Sequence, residues 1–424
     1  MADRDVLVVG GGPAGAATAA FLARDGWGVT LIDRARFPRP KPCAEYLSPQ
    51  AGRVLHTLGV LNDVVRHAVE LTGMEVRAPS GARIVGEFAA VTTFRPFHSH
   101  GLSLPRLVLD DLLLRNAHAA GAEVVEGERV IDLVRDESGV VIGTRSLGSD
   151  GVQRTRRARL VVGADGLRSI VARRAKLARH ARWPRRLAFV AHYRGISGIG
   201  QRGEMLVERD GYVGIAAVGA DRANVSLVVD QAYVAQRRSA EAAPEGSADI
   251  LSRWIASHPH IAARFNRAER VTPVQSTGPF AARARRAWAP GVALVGDAAD
   301  FFDPFTGEGM YSALLGAEAL SHHAGGALRD GSDVALRDYD SWRRSEFAPK
   351  WRVEWLIAVA VARPRLLERA ARGFAARPDL AHLLVGVTGD FVPAREVLRA
   401  AYVAQLIAAS FAKAPVAIRR VNPA

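Results

Sequence analysis

The chain of 424 residues has one cysteine, Cys43, and four lysines, Lys41, Lys176, Lys350 and Lys413, beside 53 arginines. A lone thiol excludes an internal disulfide and any multi-cysteine zinc or iron–sulfur centre, and it fits a reducing, cytoplasmic setting. The pairs His98/His100, His258/His260 and His322/His323 bring no third ligand with them, so no metal site is expected. There is no G-x-S-x-G elbow and no Walker loop, which removes the hydrolase and nucleotide-kinase readings. Long apolar runs are missing as well. Val6–Ala23 carries no charge, but Gly10, Gly11, Gly12, Pro13 and Gly15 break it, and acidic Asp3 and Asp5 precede it. It reads as strand, turn and helix rather than a membrane span or signal core.

What is present is ordinary globular material, 49% hydrophobic and 24% charged, long enough for two or three domains. The net charge of +14 is uneven. Residues 341–424 carry fourteen basic and six acidic side chains, and Arg154–Arg186 carries twelve basic ones against Asp165 alone. Such patches suit an acidic partner: a nicotinamide phosphate, a carrier-bound substrate, or an anionic membrane touched from the cytoplasm. No nucleic-acid motif accompanies the charge, so no nucleic acid is expected.

Along the chain, Asp5–Val9 reads as a strand, Ala14–Arg24 as a helix and Gly28–Asp33 as a strand, with Arg34–Pro49 too rich in proline and arginine for regular structure. A helix follows over Gln50–Leu58. Met74–Pro79 and Arg83–Phe88 form a hairpin, and Arg106–Ala120 a helix. Glu123–Glu126, Arg129–Asp136, Val140–Ser146 and Leu160–Gly163 are strands, before a helix over about Arg168–Ala178. Leu187–Arg194, Gly203–Glu208, Tyr212–Ala217 and Asn224–Val229 alternate as an antiparallel sheet with one wet face. Glu241–Arg264 and Gly309–Ala324 are helical, and Ala293–Val295 is a buried strand. The rest is helical, interrupted at Pro349, Pro364, Pro378 and Pro393.

Gly10-Gly11-Gly12-Pro13-Ala14-Gly15 fits G-x-G-x-x-G between a strand and a helix. Gly10 permits a tight turn, Gly12 lets backbone amides approach a pyrophosphate, and Gly15 allows close helix–strand packing. Asp33 lies where a carboxylate meets a ribose hydroxyl, which suits FAD or NAD and repels a 2′-phosphate. A second G-x-G-x-x-G is absent, so a separate nicotinamide domain is not expected.

Two further segments extend this reading. Val162-Gly163-Ala164-Asp165-Gly166-Leu167-Arg168-Ser169 resembles the DG motif of the glutathione-reductase-type flavoproteins related to aromatic hydroxylases. The segment from Gly296-Asp297 through Asp303-Pro304-Phe305-Thr306-Gly307-Glu308-Gly309-Met310 resembles their GD motif. The spelling DPFTGEG, and the loop from Phe37 to Pro49 around Cys43, are similar to the geranylgeranyl-reductase branch and its halogenase neighbours. The resemblance implies an α/β fold: an FAD-binding Rossmann domain (residues 1–73, 101–180 and 275–340) interleaved with a substrate-binding sheet domain (74–100 and 181–274). A helical region, 341–424, follows. It implies FAD bound through Gly10, Gly12, Pro13, Ala14, Gly15, Asp33, Arg34, Arg106, Val130, Asp165, Gly296, Asp297, Pro304, Gly307, Gly309 and Met310. Asp165 is open between a helix cap and an indirect cofactor role. Cys43, Tyr46 and Tyr212 are either walls of the substrate site or inert core residues.

The same resemblance implies an oxidoreductase whose flavin is reduced by NADH or NADPH. The Tyr-x-Trp-x-Phe-Pro signature of the lipid reductases is replaced by Gly211-Tyr212-Val213-Gly214-Ile215-Ala216-Ala217, and the halogenase Trp-x-Trp-x-Ile-Pro box is absent. The expectation is therefore a monooxygenase that hydroxylates a small apolar, aromatic or polyketide-like molecule through a flavin C4a-hydroperoxide. The alternatives are reduction of isoprenoid or other C=C bonds, and lipid binding without catalysis.

Overall fold

The structure, a computed structural model, describes residues 3–180, 183–219, 221–240 and 246–411. Its first sheet of eight strands is built on a parallel core. Val292–Leu294, Gln153–Gly163, Arg4–Val9, Val29–Asp33 and Glu123–Glu126 lie side by side in that order. Val6, Leu7 and Val8 are fully buried, as both faces of a parallel sheet must be. The helix Pro13–Arg24 packs between the helices Arg106–Ala119 and Gly309–Asp330, its alanines and Gly15 permitting close approach. Because Val9 is paired with Gly163 and Ile32, and Gly163 with Leu294, the carboxyl ends of four strands are level. Gly10, Asp33, Asp165 and Asp297 all follow these ends, where open α/β sheets bind ligands.

The second eight-stranded sheet contains Arg186–Arg194, Ala223–Asp230, Gly211–Ala217 and Arg202–Val207, joined by the hairpin Gly73–Arg77 and Arg83–Glu87. It has no wet face. One side (Val190, Met205, Val207, Tyr212) packs on C-terminal helices through Phe374, Val385 and Phe391. The other (Phe189, Val213, Val225, Leu227) is covered by the helix Ser247–Ala256, whose Ile250, Leu251, Trp254 and Ile255 share one stripe. Small residues on the strands gave an alternating pattern that reads as half-exposed, but Ala223–Val229 is buried throughout.

Other elements also differ from expectation. The strand ending at Gly163 begins at Gln153, because its arginine-rich half pairs with Val141–Gly148 and alternates inward and outward. The helix after the DG motif is only Ile170–Arg174; Lys176 adopts φ 58°, and Ala178–His180 is a strand. Helix Val334–Val361 runs through Pro349, because buried Phe347, Lys350 and Val353 hold both halves in one line. Pro364 and Pro378 instead start helices, where a missing amide N–H costs nothing. The expected helix Glu241–Arg264 is divided: residues 241–245 lie outside the described residues, and Ser247–Ala256 and Pro259–Ala262 follow. Of the expected helical tail, residues 412–424 lie outside the described residues. Among the described residues no helix is long and apolar enough to cross a membrane.

Candidate functional site

The chain leaves the first strand at Gly10, φ 105°, against Ala164; a Cβ there would lie 2.5 Å from the Ala164 carbonyl oxygen. A Cβ on Gly15 would lie 1.8 Å from the Gly10 oxygen, so the first helical turn is pressed directly on the strand end. Gly12 caps this helix and Pro13 is its first residue, leaving the early amides without intrahelical partners. Asp33 closes the turn from the neighbouring strand: Gly11 N–H donates to its Oδ2 at 2.7 Å and Ala35 N–H to its Oδ1 at 2.8 Å. Arg34 beside it is exposed, and Val130 is in the hydrophobic core on the strand Glu128–Arg135.

Two cations converge over Gly12, and a third, Lys41, stands at the neighbouring Gly166 turn, its Nζ 3.5 Å from the place a Cβ would take there. The guanidinium groups of Arg106 and Arg39 come within 3.8 and 3.9 Å of the place its Cβ would take. Arg106 donates to both oxygens of buried Asp110 at 2.7 and 2.8 Å, and Arg39 donates to Asp110 at 3.1 Å. Lys41 is half-buried and feels the charges of both arginines. Burial and then the Arg106 charge hold its ammonium below the usual lysine range, while Asp297 opposes. Three cations gathered at a helix N-terminus, with Arg106 buried, call for an anion, and a pyrophosphate fits this cradle. Arg39, Lys41 and Asp110 were missed in the sequence; the i,i+4 spacing of Arg106 and Asp110 was the available signal.

Asp297, in the turn Gly296–Ala298 after the strand Val292–Leu294, is half-buried; desolvation pushes its carboxyl up, and Lys41 and Arg106 pull it down. Gly296, φ 61°, packs on Ala14. Asp297 opens onto a cleft shared with Asp300, Asp303, Gly309 and Glu354. Asp165 is engaged locally. It accepts from Ser169 Oγ at 2.5 Å and Ile170 N–H at 2.6 Å, which makes it a cap of the helix Ile170–Arg174.

At the other end of the site, Tyr212 is fixed. Its hydroxyl donates to Asp303 Oδ1 at 2.7 Å, and buried Arg186 donates to Asp303 Oδ2 at 2.9 Å. Asp303 also caps the turn Pro304–Thr306, so the sheet and the GD segment are tied together. Gly307, φ 73°, abuts the Tyr46 ring, which would stand 2.7 Å from a Cβ there. Gly309 faces Phe301, and Met310 is buried. Cys43 is half-buried, and its carbonyl accepts from Asn224 Nδ2 at 2.9 Å. Glu45, in the left-handed region at φ 58°, accepts from Arg106 N–H at 2.9 Å, His192 Nε2 at 2.6 Å and Asn224 Nδ2 at 3.0 Å. It thus joins the cofactor-side helix to the second sheet, a role with no local sequence signal. Among the described residues no group of three or more His, Cys, Asp or Glu could hold a metal.

The model of the family described as FAD binding domain matches residues 3–351. The chain belongs to this FAD binding domain family. It is an FAD-dependent oxidoreductase. This family member is 30% identical over 352 residues to digeranylgeranylglycerophospholipid reductase 2 of Methanopyrus kandleri, covering 81% of this chain and 83% of that one. It is 37% identical over 197 residues to menaquinone reductase of Mycobacterium tuberculosis, covering 45% and 43%. Among solved structures, a probable FAD-dependent monooxygenase from Pseudomonas aeruginosa superimposes with a TM-score of 0.67 at 25% identity, covering 86% of this chain and 98% of that one.

Proposed function

We propose that this flavoprotein reduces carbon–carbon double bonds of a long apolar, isoprenoid-type substrate, with NADH or NADPH as electron donor. The observation that carries the reading is the identity shared with a lipid reductase over four fifths of both chains. The geometry supports it. The core packed beside the GD segment is apolar, with Phe88, Met205, Phe280 and Phe391, and the hydroxyl of Tyr212 is already committed to Asp303. An alkyl chain needs no polar partner, whereas a phenolic substrate does.

FAD, when bound, supplies hydride transfer. The chain would hold its pyrophosphate with Gly10, Gly12, Pro13, Ala14 and Gly15 together with Arg39, Lys41 and Arg106, its adenosine ribose with Asp33 and its ribityl chain with Asp297. Pro304, Gly307, Gly309 and Met310 would border the ring. Anaerobic incubation with a reductant and a panel of polyprenyl compounds is expected to yield products two hydrogens heavier. Products carrying one added oxygen, formed only under air, would replace this reading by hydroxylation, which the Pseudomonas structure keeps as the second one.

A lipid substrate calls for access to a bilayer. Trp355, Leu356, Leu366, Ile407 and Phe411 are exposed on the C-terminal helices, and Arg363, Arg365, Arg369 and Arg372 have no carboxylate ion pair among the described residues. This face would rest on an anionic membrane surface.

A further inference from the structure

Behind the Gly307 turn lies a group of ionisable side chains that the FAD cradle does not use. Glu308 is buried, with Oε2 at 3.8 Å from Lys350 Nζ. Lys350 is buried too; it pairs directly with Asp390, whose side chain is wholly inaccessible, and its ammonium stands 4.6 Å over the Tyr311 ring. Glu354, one helical turn beyond Lys350, faces the same group. From other elements come Tyr46, on the short strand Tyr46–Leu47, and Asp303; Glu346 also acts on Asp390 and Tyr311.

One ammonium cannot balance Asp390, Glu308 and Glu354 together in a desolvated interior. Lys350 is committed to Asp390. Glu308 is therefore left with its proton: burial pushes its carboxyl up to about 8, with Asp390 adding and Lys350 opposing. Within the same region Tyr46 Oη, Glu308 Oε2, Thr306 Oγ1 and Asp390 Oδ2 are buried without a hydrogen-bond partner among the described residues. An unpartnered buried phenol is destabilising, and this one belongs to a ring lying on Gly307, the residue that would border the flavin in the proposed site.

We propose that Tyr46 is the proton donor that completes substrate reduction, and that Glu308 resupplies it. This rests on the reading of the protein as a C=C reductase. Saturating a double bond adds two hydrogens. With FAD bound, a hydride drawn from NAD(P)H would reach one carbon with its electron pair, and the π electrons of the alkene would take the proton of Tyr46 Oη at the other. The tyrosinate recovers a proton from the Glu308 carboxyl, and Glu308 recovers one from solvent. Overall, the alkene, NAD(P)H and one proton give the alkane and NAD(P)+.

Two experiments on the full-length, FAD-loaded protein decide this. In the absence of substrate, infrared spectroscopy is expected to show the carbonyl stretch of a protonated buried carboxyl at neutral pH. One component should fade as pH rises through about 8 and be missing in Glu308→Gln, while Glu354, also pushed up by burial, keeps another; a band unchanged in that variant overturns the role of Glu308. In single anaerobic turnovers, Tyr46→Phe is expected to bind FAD and accept electrons from NAD(P)H at the wild-type rate. Its reoxidation by the alkene should slow by at least ~100-fold, and wild-type product formed in D2O should carry one solvent deuteron. Reoxidation of Tyr46→Phe at the wild-type rate overturns the role of Tyr46 alone. Failure of the wild type to saturate any alkene overturns the reading of the reaction, and the donor with it.

Discussion

At Gly15 one added methyl group would lie 1.8 Å from the Gly10 carbonyl oxygen, far inside van der Waals contact. Gly15→Ala must therefore lift the helix from the strand. We expect the purified variant to have lost most of its FAD, measured as flavin absorbance per mole of protein. Glu308 makes a different demand. Its carboxyl titrates at about 8 in the folded protein against an ordinary 4.5. Between these values the native state keeps a proton that the unfolded chain has released, so this group lowers stability as pH rises from 4.5 to about 8. Glu308→Gln removes the loss. Its melting temperature should exceed that of the wild type at about pH 8.5 and differ little at about pH 4.5 by calorimetry. Tyr46 and Tyr212 were equivalent candidates in the sequence. One hydroxyl is held by Asp303, 91 positions away, and the other has no hydrogen-bond partner among the described residues.

At the scale of elements, the link Arg186–Asp303–Tyr212 joins two strands of the second sheet to the turn Pro304–Thr306. Asp303→Ala leaves Arg186 buried, with only the exposed Asp230 at 3.6 Å. Removal of one partner from a buried pair costs about 3–5 kcal/mol, while Tyr212→Phe should cost about 1 kcal/mol for its hydrogen bond. Denaturation curves of the two variants should rank in that order, and a larger loss in Tyr212→Phe would contradict the assignment. Proline and glycine punctuation located the ends of most elements but misjudged Pro349, because packing of residues on both sides outweighs one missing backbone hydrogen bond.

Across the whole molecule, the basic patches look smaller than a count along the chain implies. Arg154 pairs with Asp150, Arg156 with Glu128, Arg159 with Asp5 and Arg174 with Asp132, all carboxylates outside the counted segment. The arginines of the helix Pro364–Ala376 keep their charge open to solvent beside exposed Leu366 and Phe411. Vesicles with anionic lipid should retain the protein at low salt and release it as salt shortens the Debye length to about 3 Å at 1 M. Phe411→Glu combined with Arg369→Glu should abolish retention in a flotation assay. FAD at about 100 times its dissociation constant should add about 2.7 kcal/mol to stability, seen as a rise in melting temperature.

The glycine turn, Asp33 and the DG and GD segments were legible in the linear sequence, because backbone approach to a pyrophosphate needs particular residues at fixed local spacings. The same is true of the parallel sheet, whose two buried faces leave continuous apolar runs such as Val6–Val9. Burial and pairing depend on distant segments, so the sequence could not reveal them. The cations Arg39 and Arg106 over Gly12 with Lys41 at Gly166, the Glu45 link to His192, the covering of both faces of the second sheet and the burial that raises the Glu308 carboxyl were decided by the tertiary structure. A charge acquires its chemistry from what surrounds it, and Lys350, Asp390 and Tyr46 reach Glu308 only when the chain has folded.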